Sequence, residues 1–64
     1  MTPEVSKLYR HKKGTLYRVI AIALHSETLE PLVIYQDVEN PSKIWARPQE
    51  MFADGRFIEE GDRA

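Results

Sequence analysis

The longest uninterrupted apolar run in this chain is only six residues, from position 19 to position 24. A transmembrane helix needs about 20. The run and the residues before it are rich in β-branched and aromatic side chains, which favours a strand over residues 15–24. Leu16, Val19, Ile20 and Ala23 also recur at helical spacing, but no N-cap with an acidic first turn precedes them. We therefore expect short strands.

Four further segments have strand composition and end at turn residues. They cover residues 8–12, 32–38, 43–47 and 56–59. The polar loop that ends at Pro31 predicts a hairpin between the second and third strands. Residues 48–52 are too short for a helix with its own core face, so we predict a short 3₁₀ turn before the last strand. We expect Met51 and Phe52 to fill the core.

Strands recurring about every ten residues without a substantial helix predict an all-β fold, a small barrel or sandwich. Sixty-four residues allow one domain. We expect a flexible arm over residues 1–7, a single β-barrel domain over 8–59 and a polar tail over 60–64. The absence of cysteine excludes disulfide scaffolds, cysteine-based zinc sites and thiol chemistry.

The charges are unevenly distributed although the formal net charge is only −1. Residues 7–18 carry five cations and no acid, whereas residues 27–39 carry four acids and no base. The basic segment either pairs with acidic neighbouring strands or forms a face for an anionic partner. A pI near 6.1 argues against nucleic acid as the partner. The first residues lack a basic signal-peptide region, so we expect a cytoplasmic protein without membrane contact.

The two histidines suggest one catalytic hypothesis. His11, His25 and Glu27 form a two-histidine, one-carboxylate set, but their spacing does not fix three converging ligands. Ser26 adjoins His25 on an extended chain, so their side chains point to opposite faces and cannot act as nucleophile and base. We therefore expect no catalytic residues, no metal and no cofactor, and a metal-dependent or hydrolytic enzyme is the minor alternative.

Residues 43–47 alternate with a period of two. If Ile44 and Ala46 face the core, Trp45 and Arg47 share the opposite face. An exposed tryptophan beside an arginine is a common recognition pair, because one supplies apolar area and the other a planar cation. In the alternative interpretation Trp45 closes the mouth of the barrel and Arg47 stacks on it.

Five blocks in the chain carry a family resemblance. They are Tyr-Arg-His-Lys-Lys-Gly at 9–14, Tyr-Arg-Val at 17–19, His-Ser-Glu-Thr-Leu-Glu at 25–30, Val-Ile-Tyr-Gln at 33–36 and Trp-Ala-Arg-Pro-Gln-Glu-Met-Phe at 45–52. Together they resemble a small, mostly bacterial family known as domain of unknown function 1653. The resemblance implies an SH3-type barrel of four to five strands and implies no activity.

We expect an uncharacterised binding module with an aromatic and cationic face. The candidate binding residues are Tyr9, Arg10, His11, His25, Tyr35, Trp45 and Arg47. Their composition suits a peptide, a nucleotide-like anion or a partner protein. The alternative is a structural homodimer or accessory domain without its own small-molecule ligand. We expect a monomer or a weak homodimer.

Overall fold

The computed structural model describes residues 3–61, which form one antiparallel sheet of five strands and a single helical turn. The elements are β1 (Leu8–His11), β2 (Leu16–Leu24), β3 (Pro31–Asp37), β4 (Ile44–Pro48), α1 (Gln49–Phe52) and β5 (Phe57–Gly61). The spatial order of the strands is β4-β3-β2-β1-β5. The predicted all-β class is confirmed.

The predicted hairpin between β2 and β3 is confirmed, and it contains a bulge. Val19 lies opposite Tyr35, but the next partner of β3 in the ladder is Ala21, so Ile20 is an extra residue. A bulge shifts the alternation of side chains by one position. Val19 and Ile22 therefore lie on the same face of β2 although they are three residues apart. We call this face, which carries Val19, Val33 and Tyr35, the inner face.

The core is built from aromatic side chains on the inner face. The rings of Phe52 and Phe57 stack with their centroids 4.1 Å apart and their planes at 9°. The Tyr35 ring meets both edge-on, at 5.4 and 5.7 Å. Tyr9 packs edge-on against Phe52 at 5.2 Å, and Tyr17 packs against Tyr35 at 5.1 Å. These five residues, the aromatic cluster, join β1, β2, β3, α1 and β5 through offset and edge contacts that aromatic rings prefer.

The ladder of hydrogen bonds does not close into a barrel. Among residues 3–61, β4 and β5 are the two edges of the sheet. The edges approach each other through side chains instead, because the guanidinium carbon of Arg47 on β4 lies 5.6 Å from the centroid of Phe57 on β5. The sheet is therefore curled around the aromatic cluster.

The turn before the last strand is α-helical, so the prediction of a 3₁₀ turn is wrong. The N–H of Ala53 donates to the carbonyl of Gln49 at 3.0 Å, which spans the four residues of an α-helical turn. This turn buries Phe52 completely, whereas Met51, also expected in the core, is 42% exposed. No helix among residues 3–61 has the length and apolar content needed to cross a membrane.

The segment before β1 is bonded to the sheet from residue 4 onward. The N–H of Ser6 donates to the carbonyl of Val19 at 2.7 Å, and the N–H of Glu4 donates to the hydroxyl of Tyr9 at 2.9 Å. At the other end, β5 extends through Gly61, two residues beyond the predicted domain boundary. Residues 1–2 of the predicted arm and 62–64 of the predicted tail lie outside the described residues.

We predict that Phe52→Leu lowers the free energy of unfolding by about 1–2 kcal/mol, because the smaller side chain loses the stack on Phe57 and leaves a gap in a close-packed core. Urea denaturation followed by circular dichroism measures this. The control is Ile58→Ala, since Ile58 is 64% exposed and its truncation should stay within about 0.5 kcal/mol. Equal losses in the two variants would contradict the central place of the stack.

Candidate functional site

Two of the candidate binding residues are part of the core. Tyr9 is fully buried and Tyr35 is 5% exposed. The hydroxyl of Tyr9 accepts a hydrogen bond from the backbone of Glu4, which satisfies the polar end of a buried ring. Tyr9 is therefore inaccessible to a ligand, and Tyr35 contributes to a surface only through its hydroxyl.

Arg10 lies on the face of the sheet opposite the aromatic cluster, because it follows Tyr9 directly on an extended strand. Its Nε donates to Glu60 at 2.8 Å, and a terminal guanidinium nitrogen donates to the carbonyl of Gly14 at 2.8 Å. The charge of Arg10 is thus paired within the domain. This arrangement matches the cross-strand pairing that the charge pattern left open as one of two interpretations.

His25 has a local role in the turn between β2 and β3. Its Nδ1 accepts hydrogen bonds from the backbone N–H groups of Glu27 and Thr28, at 3.1 and 3.3 Å. His11 lies beyond the other end of β2, so nine strand residues separate the two histidines. The structure does not bring His11, His25 and Glu27 together, and no group of three potential metal ligands occurs among residues 3–61.

The alternation predicted for β4 is present, but its two faces are reversed. Trp45 lies opposite Tyr35 and Arg47 lies opposite Val33, so both point to the inner face. Ile44 is 53% exposed on the outer face. Because no further layer covers the outer face of this edge strand, its apolar residues stay exposed. Trp45, at the rim of the aromatic cluster, is itself 49% exposed.

Arg47 connects the aromatic cluster to the surface. Its Nε donates to the hydroxyl of Tyr35 at 3.3 Å, and its guanidinium lies over the ring of Phe57. Within residues 3–61 it makes no salt bridge with a carboxylate. The half-buried guanidinium of Arg47 lies against an aromatic ring, and its other N–H groups remain available to a partner.

His11 contacts the same phenylalanine. Its ring meets Phe57 edge-on at 4.9 Å, and its Nδ1 accepts a hydrogen bond from the backbone N–H of Lys13 at 3.1 Å. Partial burial lowers the pKa of His11, and the positive charges of Lys13, Arg47, Lys12 and Arg56 lower it further. The backbone bond leaves the proton of the neutral ring on Nε2.

Four cations are close enough to lower the pKa of His11 by their charge, and together with His11 we call them the cationic rim. It consists of His11, Lys12, Lys13, Arg47 and Arg56. Arg56 pairs with Asp54 at 3.2 Å, whereas Lys12 and Lys13 have no salt bridge within residues 3–61. The sequence analysis did not include Arg56, because Arg56 comes near Lys12 only when β1 pairs with β5. The N–H of Lys12 donates to the carbonyl of Arg56 at 2.9 Å.

Trp45 and Arg47 lie on the inner face of β4, away from two open grooves. One of about 260 Å³ lies between Pro31 and α1, and one of about 460 Å³ lies between the β1–β2 turn and the loop after β3. Lys13 of the cationic rim lines the second of these grooves. Neither groove is lined by Trp45 or Arg47. An exposed indole beside a guanidinium that has no carboxylate partner among residues 3–61 suits an anionic surface or segment lying along β4.

We predict that Arg47→Ala lowers the free energy of unfolding by about 1–2 kcal/mol, from one lost hydrogen bond and one lost cation–π contact. This is less than the roughly 3 kcal/mol expected for breaking a buried ion pair. Urea denaturation of Arg47→Ala, Tyr35→Phe and the double variant measures the coupling of Arg47 with the tyrosine hydroxyl. Strictly additive effects would show that this bond does not contribute.

We predict that His11 makes stability pH-dependent. Because the pKa of His11 is lowered on folding from about 6.5, the unfolded chain takes up a proton at higher pH than the folded protein does. Stability therefore decreases as the pH falls through 6.5 and continues to decrease until the lowered pKa is passed. His11→Asn keeps an acceptor near the position of Nδ1 and does not titrate.

Urea denaturation of the wild type and of His11→Asn at several pH values gives the contribution of His11 as the difference between their free energies of unfolding. Stability of the wild type relative to His11→Asn should be constant above about pH 7.5 and should decline below 6.5. The subtraction removes the titration of the carboxylates, which both proteins share. A relative stability that increases on acidification would contradict the prediction.

Comparison with known proteins places the chain in a family. No curated protein and no solved structure matches it. The model of one family, described as "Protein of unknown function (DUF1653)", matches residues 7–62, which include every strand of the sheet. The chain therefore belongs to the domain of unknown function 1653 family.

Proposed function

We propose that this protein is a small binding module that recognises an anionic partner through Trp45 and the cationic rim. The partner is an acidic peptide, a nucleotide-like anion or an acidic patch on a protein. The observation that carries the proposal is the exposed Trp45 beside Arg47, on one face of one strand, with no carboxylate paired to Arg47 among residues 3–61.

The contrast between Arg10 and Arg47 supports this assignment. Both are arginines on strands, but Arg10 binds Glu60 whereas Arg47 rests on Phe57 and the hydroxyl of Tyr35. Held by aromatic contacts, the guanidinium of Arg47 loses little further side-chain freedom when a carboxylate or phosphate binds. Like charges gathered at the cationic rim also repel one another, and an anion relieves that repulsion.

A second candidate, a structural homodimer, is favoured by the apolar side chains of β4. Ile44 and Trp45 are both about half exposed, on opposite faces of one edge strand. Burial of these side chains against a second copy would stabilise a dimer. Analytical ultracentrifugation over a range of concentrations separates this candidate from a monomeric binding module.

Three finer expectations remain proposals. We propose binding rather than catalysis, because the described histidines bond to backbone N–H groups of their own turns. An SH3-type barrel is supported by the contact of Arg47 with Phe57, through which a side chain of one edge strand reaches the other. A cytoplasmic location and a bacterial origin stay predictions from the sequence.

We predict that Arg47→Gln weakens the binding of a short oligoglutamate peptide, whereas Arg10→Gln does not. Both variants lose one positive charge, so non-specific attraction changes equally. If Arg47 is an energetic hot spot, the loss should be about 2 kcal/mol or more, and wild-type binding should weaken as salt is added. The single tryptophan, Trp45, reports binding through its intrinsic fluorescence.

Equal weakening in the two variants would mean that the peptide responds to overall charge and not to this surface. Circular dichroism at the titration temperature verifies that Arg47→Gln is folded, since this variant also loses its bond to Tyr35. Binding that is unchanged in Arg47→Gln would contradict the proposed function.

A further inference from the structure

We infer that β4 binds an extended acidic segment of a partner protein as a sixth strand of the sheet. The inference rests on the proposed function, because it specifies how the same surface holds its ligand. Strand addition uses the backbone of an exposed edge for affinity and alternating side chains for specificity. The free edge, the chemistry of β4 and the position of the cationic rim each support it.

The outer edge of β4 has backbone groups available for pairing. The N–H of Asp37 donates to the carbonyl of Lys43 at 3.1 Å, and hydrogen-bonded pairs alternate in an antiparallel ladder. Trp45 and Arg47 are therefore bonded to β3, while Ile44 and Ala46 direct their N–H and C=O groups away from it. Within residues 3–61, β3 is the only strand paired with β4.

The two edges of the sheet differ in their protection. On β5, Glu59 binds Lys7 at 3.2 Å and Glu60 binds Arg10 at 2.8 Å, so this edge carries paired charges. Charged side chains commonly protect edges against further pairing. β4 instead begins with two exposed apolar side chains, Ile44 and Trp45, whereas β5 exposes one, Ile58, beside its paired glutamates. Pro48 lacks an N–H and limits an added ladder to a short segment.

The side chains of β4 specify the added segment. The sheet is entirely antiparallel, so an added strand is expected to run antiparallel to β4. Its inward side chains then lie opposite Arg47 first and Trp45 two residues later. A carboxylate suits the first position and an apolar side chain suits the second. From its N-terminus, the added segment therefore has an acidic residue opposite Arg47, any residue next, and an apolar residue opposite Trp45.

The β5 edge of a second copy of this chain does not fit the β4 edge as well as a partner does. Its own exposed edge, β5, carries Ile58 before Glu59 and Glu60, the reverse of the required order. Both glutamates are already in salt bridges with Lys7 and Arg10. Either glutamate would have to leave its salt bridge in order to pair with Arg47. An acidic segment of another protein forms its ion pair without this loss.

The test uses an acetylated and amidated peptide, Thr-Thr-Glu-Thr-Val-Thr-Thr, whose glutamate and valine take the two inward positions. The control is the same peptide with the two threonines that flank valine N-methylated, which removes the N–H groups that would bond to Ile44 and Ala46. Trp45 fluorescence measures affinity, and hydrogen exchange by NMR measures protection of the Ile44 and Ala46 amides. We expect N-methylation to weaken binding at least about tenfold.

The two amides should become protected only with the parent peptide. Equal affinity of parent and N-methylated peptides, with Arg47→Gln still weakening both, would overturn strand addition and leave the proposed function intact. Unchanged affinity of the parent peptide in Arg47→Gln would contradict the proposed function instead. Protection of Ile44 and Ala46 that rises with protein concentration alone would show that a second copy occupies the edge, which also overturns the inference.

Discussion

The stack of Phe52 on Phe57 is the contact on which the other parts of this domain depend. One ring belongs to the helical turn after β4 and the other begins β5, and the Tyr35 ring of β3 meets both, so the stack at 4.1 Å packs residues 52–57 against the sheet. A domain of this size buries only about 60% of its unfolded surface. With no disulfide to compensate, a few large rings must supply most of the apolar area that is buried.

The same stack explains why the candidate site is positioned as it is. Phe57 also meets the ring of His11 and lies under the guanidinium of Arg47. Residues from β1, β4 and β5 are thus brought together by one buried side chain. Arg47 consequently belongs to both the framework and the surface. Its removal is expected to affect stability and binding together, which is why Arg10 serves as a charge-matched control.

Much of the fold followed from local pattern, and most of the site did not. Strand composition and turn residues predicted the five strands and the β2–β3 hairpin within one or two residues. The alternation of residues 43–47 correctly predicted that Trp45 and Arg47 share one face of β4. Alternation alone does not indicate which face of a strand is covered. The rule that apolar Ile44 should point inward failed because β4 is an edge strand with an uncovered outer face. The pairing of β1 with β5, which places Arg56 beside Lys12, depends on contacts distant in sequence.

The asymmetry between the two edges connects the fold to the proposed function. An unclosed sheet must manage two rows of free backbone groups, and charged residues are the usual protection. This chain places paired charges on β5, whereas β4 keeps Ile44 and Trp45 exposed at its start. Stability gains less from Ile44 than from a core isoleucine, because Ile44 is 53% exposed. The proposed recognition accounts for the difference, because a partner strand needs an unprotected edge, apolar contact and a charge that has no carboxylate partner among residues 3–61.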